Sequence, residues 1–128
     1  MGSILSLINN NTSSSKADTD MALNKVKQLV ASTPVIIFSK TTCGFCNRVK
    51  ELLKQLGASF QVMELDQESD GSAIQAALQE WTGQRTVPNV FIGGQHIGGC
   101  DAVMDKHSKS QLVPLLVNAK AIAAEQTA

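Results

Sequence analysis

Val35-Ile36-Ile37-Phe38-Ser39-Lys40-Thr41-Thr42-Cys43-Gly44-Phe45-Cys46 is the stretch that decides the fold. It opens on three β-branched residues and an aromatic one, a run too short for a helix and suited to a strand buried on both faces. It closes on a CxxC. Beyond it, Phe45, Val49, Leu52, Leu53 and Leu56 make one apolar stripe, with Arg48, Lys50, Glu51 and Lys54 mainly off it. Gly57 ends that helix. The spacing therefore predicts a strand–loop–helix unit with Cys43 where the helix begins.

The neighbours alternate between the same two periodicities. Upstream, Leu23, Val26 and Val30 predict a helix over 21–31, ended before Pro34. Downstream, Phe60 to Leu65 alternates as a second strand. Ser69 or Asp70 is placed to cap a third helix, with Ile74, Ala77, Leu78 and Trp81 on its buried face and Gly83 at its close. Val87-Pro88-Asn89 interrupts the pattern before a strand at Val90-Phe91-Ile92. Gly93-Gly94 signals a hairpin into Gln95-His96-Ile97. Gly98-Gly99 opens a helix through about Met104. A last amphipathic helix carries Leu112, Leu115, Leu116, Ala119 and Ile122, with Pro114 tolerated only in its first turn. The order α-β-α-β-α-β-β-α-α predicts an α/β domain. Its first two strands pair in parallel through a right-handed crossover, and its last two form a hairpin. The result is a small mixed four-stranded sheet with helices on both faces.

The whole chain has 128 residues, enough for one domain. Eleven basic residues balance eleven acidic ones, so no global charge draws it to nucleic acid. No apolar run approaches the ~20 residues a bilayer span needs. Residues 9–20 are polar and of low complexity, so 1–20 is expected to be a disordered tail, 21–120 the domain and 121–128 a C-terminal tail. Met1-Gly2-Ser3-Ile4-Leu5-Ser6 fits the N-myristoylation pattern at Gly2, with coincidence in a short pattern as the alternative. One such chain gives at most weak, reversible membrane attachment. Three cysteines (Cys43, Cys46 and Cys100) do not suit a secreted disulfide scaffold, and no basic secretory n-region leads the chain. A cytoplasmic location is the expectation.

Chemistry centres on Cys43. At a helix start, free N–H groups and the positive dipole end point at its sulfur, and Lys40 adds a positive charge nearby. A thiol of pKa ~8.5 is only a few per cent ionised near neutrality. A drop of ~3 units, about 4 kcal/mol, makes it almost wholly thiolate and a better leaving group. Cys46, one turn below, is expected to be more buried, with a higher pKa. The asymmetry makes Cys43 the attacking sulfur and Cys46 the resolving one. A CxxC alone is also half a zinc site, for which Cys100, His96 and His107 are the extra candidate ligands. A purely structural pair of cysteines is the remaining alternative.

Lys40-Thr41-Thr42-Cys43-Gly44-Phe45-Cys46, Thr86-Val87-Pro88 and Gly98-Gly99-Cys100-Asp101, in that order, resemble a dithiol glutaredoxin. Glu80-Trp81-Thr82-Gly83-Gln84 and Pro88-Asn89-Val90-Phe91-Ile92 resemble the plant class I members in particular. The resemblance covers about 21–120 and implies a thioredoxin-like fold. It also implies glutathione, held in mixed disulfides, as the substrate.

It further implies that Pro88 is cis and that Thr86 and Val87 line the glutathione site. The Val87 backbone would pair with the cysteinyl part of the tripeptide, as in strand addition. Lys40 and Gln75 match positions that hold the glycine carboxylate. The N–H groups of Gly99, Cys100 and Asp101 suit the γ-glutamyl carboxylate, and Asp101 can accept from the ammonium. Phe45 stands where a tyrosine is more usual, so the ring is kept and its hydroxyl lost. Cys100 reads as a packing residue or as a regulatory thiol.

The expected activity is glutathione-dependent thiol–disulfide exchange by a monomer. Cys43 takes up the glutathionyl group, and Cys46 is needed only for protein disulfides. A second expectation is a binding module, in which two chains each give Cys43 and two glutathiones complete the ligation of a bridging [2Fe-2S] cluster. Gly44 in place of proline keeps this open. A thioredoxin-type reductase is a third, opposed by the carboxylate-holding positions.

Overall fold

The computed structural model describes residues 15–122. The Gly2 site, the rest of 1–14 and 123–128 lie outside them. The elements are α1 (Lys16–Ser32), β1 (Val35–Ser39), α2 (Gly44–Gln55), β2 (Gln61–Glu64), a 3-10 turn (Leu65–Gln67), α3 (Gly71–Thr82), β3 (Asn89–Ile92), β4 (Gln95–Gly98), α4 (Cys100–Ser108) and α5 (Leu112–Asn118). The sheet order is β2-β1-β3-β4. β1 pairs parallel with β2 and antiparallel with β3, and β3 and β4 form the hairpin. This is the expected mixed four-stranded sheet of a thioredoxin-like fold.

β1 is buried along its whole length because helices cover both faces. Strand alternation divides its apolar residues between two cores. Val35 and Ile37 join Val90 and Ile92 against Val49, Leu53, Val103 and Leu116 of α2, α4 and α5. Ile36, Phe38 and Phe91 pack against Val26, Val30, Ile74 and Leu78 of α1 and α3. With β1 so enclosed, its C-terminal end is the place where the sheet meets solvent and function.

Several boundaries differ from the sequence expectation. The first helix starts at Lys16, not at 21, so the end of the polar stretch belongs to the domain. Ser15 accepts from the Asp18 amide (3.1 Å), and Lys16 pairs with Asp20 at 3.7 Å. Capping overrides composition there. Asp70 occupies the N-cap of α3 but makes no capping bond; its carboxylate pairs with Lys25 of α1 at 3.0 Å. Trp81 is 37% exposed, stacked on Phe91 on its inner side. α4 continues past Met104 to Ser108. α5 stops at Asn118, and the chain turns at Lys120 (φ 64°) to bury Ala121 and Ile122, so the core extends beyond 120. Pro114 lies in the first turn of α5, as its missing N–H requires.

Gly71 permits one close approach that positions the upper edge of the fold. A Cβ there would lie 1.9 Å from the Leu65 carbonyl oxygen, so α3 can sit against the 3-10 turn only without a side chain. Among the described residues no helix is long and apolar enough to cross a membrane.

Candidate active site at the start of α2

The chain leaves β1 through a tight turn, closed by the Cys43 amide donating to the Lys40 carbonyl at 3.1 Å. Cys43 is the N-cap of α2 (φ −91°, ψ 113°). Its sulfur takes the part a serine or aspartate oxygen usually plays, accepting from the Cys46 amide at 3.1 Å. The turn is strapped from outside by Asp66. Thr41 donates to that carboxylate through its amide (3.1 Å) and also through its hydroxyl. These two bonds, with the Lys40 charge, hold the Asp66 carboxyl below its usual range.

The two thiols of the motif are unlike. Cys43 is half-buried, whereas Cys46 has no exposed surface. Burial first, and the adjoining Cys43 second, push the Cys46 thiol up; the Ser39 hydroxyl and the Lys40 backbone oppose this. All three cysteines are free thiols.

The second wall comes from the loop ahead of β3. The Val87–Pro88 peptide is cis, and Cys43 Sγ lies 3.8 Å from the Val87 carbonyl oxygen. Gln84 braces this loop from within, donating through Nε2 to the carbonyls of Thr86 (3.0 Å) and Pro88 (2.9 Å). A groove of about 550 Å³ is lined by Phe45, Gln84, Thr86 to Pro88 and Gly99 to Ala102. Phe45 is 58% exposed, so its ring forms an open flank. Gly99 is the N-cap of α4 and offers no capping side chain, which leaves the first-turn amides of that helix to the groove. Gly98 carries φ 124°, which favours glycine at the hinge into that helix.

Thr86, Val87, Pro88, Gly99, Cys100, Asp101 and Phe45 thus gather around one groove, as the sequence reading expected. Lys40 and Gln75 do not line it. Lys40 lies on the turn just before Cys43, and the Gln75 amide donates to the Arg85 carbonyl at 2.8 Å, bracing the loop from α3. Cys100 is buried beside the groove, and burial pushes its thiol up. Gln84 and Ala102 also line the groove, and the sequence alone does not single them out. Gln84 lay within a family-like segment, but nothing in its polarity set it apart from a surface amide.

The zinc alternative finds no support in the geometry. Among the described residues no three His, Cys, Asp or Glu side chains group around a metal position. His96 instead bonds Asn89 at 2.8 Å, and burial lowers its pKa.

The glutaredoxin family model matches residues 35–97. Glutaredoxin-C1 of Arabidopsis thaliana is 61% identical over 109 residues, 85% of this chain and 87% of that protein. A glutaredoxin of Ricinus communis is 66% identical over 80% of this chain and all of its own length. A buckwheat glutaredoxin–glutathione complex superposes with a TM-score of 0.84 at 64% identity, covering 85% of this chain and 99% of that one. With a cysteine-capped helix facing a cis-proline loop, and relatives matched over nearly their whole lengths, this chain belongs to the glutaredoxin family and is an oxidoreductase of that family.

Proposed function

We propose that the chain reduces mixed disulfides between glutathione and proteins, and protein disulfides, through Cys43 and Cys46. The observation that carries this is the placement of Cys43 Sγ, accepting from the Cys46 amide and 3.8 Å from the carbonyl of Val87, a residue that lines the groove. The buckwheat relative solved with glutathione supports the choice of ligand.

In the monothiol route the Cys43 thiolate attacks the glutathione sulfur of the mixed disulfide. A Cys43–glutathione bond forms, the old S–S bond breaks, and the protein leaves as a thiolate that takes a proton from water. A second glutathione thiolate then attacks the bound glutathione sulfur, giving glutathione disulfide and restoring Cys43. In the dithiol route Cys46 loses its proton and attacks Cys43 of a mixed disulfide, expelling the partner thiolate and leaving a Cys43–Cys46 disulfide for two glutathiones to reduce. In this reading the Val87 backbone pairs with the extended tripeptide and the first-turn amides of α4 take one carboxylate. Cys43→Ser should abolish turnover of a glutathionylated peptide, while Cys46→Ser should keep most of it. Equal loss in both variants would reject the monothiol route.

A [2Fe-2S] carrier is the second reading. One chain by itself does not fit: Cys46 is enclosed, and Cys43 is its single accessible thiol of the pair. The reading needs a second chain and two glutathione thiolates. In its favour, a Cβ on Gly44 would meet nothing within 4 Å, so space beside Cys43 is open. Visible absorbance and dimer mass after anaerobic reconstitution with glutathione test it; a colourless monomer counts against it.

A further inference from the structure

We propose that Asp66 is a positioning residue that presets the Lys40–Cys43 turn for a glutathionyl substrate carrying a carboxylate. This rests on the glutathione reading above. Asp66 stands 25 positions from Thr41 in sequence, yet its carboxylate takes both Thr41 donors, amide and hydroxyl. The sheet explains why they meet. Ser39 and Glu64, the last residues of β1 and β2, are register partners, so the turns that follow them emerge side by side. One of those turns presents Lys40 and Cys43; the other presents Asp66.

The strap acts on the turn in two ways. It closes the segment that the Cys43 amide and Lys40 carbonyl already fold, which fixes the approach of the chain to the N-cap. It also sets a negative charge near Lys40 without consuming that ammonium. Both carboxylate oxygens are engaged by Thr41, and among the described residues Lys40 Nζ enters no ion pair. The Thr41 bonds first, and the nearby Lys40 charge after them, hold the Asp66 carboxyl below its usual range. The Lys40 ammonium, on the preset turn, keeps its donors out of any ion pair among the described residues. Ordering the turn before substrate arrives reduces the entropy lost on binding.

The test is steady-state kinetics on a glutathionylated peptide with wild type, Asp66→Ala, Asp66→Asn and Thr41→Val. Asp66→Ala should raise KM about fivefold, the effect of one typical hydrogen bond, with kcat nearly unchanged. Asp66→Asn should recover most of the loss, because its amide oxygen can accept from the Thr41 amide and its NH2 can donate to the hydroxyl. Thr41→Val should raise KM, and combining it with Asp66→Ala should add little. Asp66 is solvent-exposed, so Asp66→Ala should lower the melting temperature only slightly and Asp66→Asn less. An active wild type with unchanged KM in Asp66→Ala overturns the strap alone. So does equal loss in Asp66→Ala and Asp66→Asn. A wild type that fails to turn over the peptide overturns the glutathione reading and this proposal with it.

Discussion

Cys43 Sγ stands 3.8 Å from the carbonyl oxygen of Val87, a residue 44 positions further along the chain. The contact follows from sheet topology. β1 and β3 run antiparallel with Phe38 opposite Asn89, so the end of one strand meets the start of the other. The loop before β3 therefore shapes the site as directly as the helix that carries the sulfur.

Gln84 should matter more than a surface amide does. Its Nε2 holds the carbonyls on either side of the Val87 and cis-Pro88 step. Gln84→Ala frees both and should raise KM for a glutathionylated peptide by about threefold to tenfold. Gln84→Glu should be worse, since a carboxylate would face two carbonyl oxygens. Unaltered KM in both variants would refute this role.

The reduced protein should lose stability in alkali partly through Cys46. Burial raises its pKa, so the folded thiol keeps a proton that the unfolded one releases. A raised folded pKa contributes stability that is complete below the unfolded value, about 8.5, and is lost as pH climbs through the folded value. Cys100 adds its own part by the same cause. Urea midpoints taken from about pH 7 to pH 10 should fall less steeply in Cys46→Ala, and least in Cys46→Ala combined with Cys100→Ala. Parallel slopes in all three proteins would contradict the assignment.

Lys50 and Glu64 bond at 2.9 Å with side chains only 17% and 23% exposed. Among the described residues, Glu64 Oε1 is buried and has no hydrogen-bond partner. Lys50→Met would strip the other oxygen too, at a cost of about 2 kcal/mol once partial exposure is allowed for. Adding Glu64→Leu should return most of that loss, because no stranded charge remains. Urea unfolding of the single and double variants reads this directly; a double variant no better than the single would show that the charge was never the problem.

Gly71 and Gly44 make a contrasting pair. Gly71→Ala drives a methyl into the Leu65 carbonyl and should cost about 3 kcal/mol. Gly44→Ala meets open space in the first turn of α2 and should leave the melting temperature unchanged or slightly raised. Similar melting temperatures for the two would mean that α3 can retreat freely.

Much of this arrangement is legible in the sequence because local pattern and tertiary demand agree. The β-branched run at Val35 can satisfy itself only between two layers, and the CxxC follows it directly. The order of the three motifs then places Thr86–Pro88 and Gly99–Asp101 at one groove. What is not legible depends on partners distant in the chain. Ser15 looks like one more polar residue until the Asp18 amide is seen bound to it. Asp70 looks like a cap until Lys25 of another helix takes its carboxylate. Gln75 matches a ligand-holding position, but its amide reaches the Arg85 carbonyl, a contact created by the packing of α3 on the loop.

The antiparallel partnership that brings Asn89 beside Phe38 sends Gly93 and Gly94 to the opposite rim of the sheet, where both are exposed. The molecule accordingly has two poles, one reactive and one inert. Gly94 carries φ 80°, which a side chain would strain, so the exposed Gln95 beside it offers the anchorage at the inert pole for a fluorophore or surface tether. A protein immobilised there would present its sulfur outward to bulky clients, with the full breadth of the sheet as a spacer.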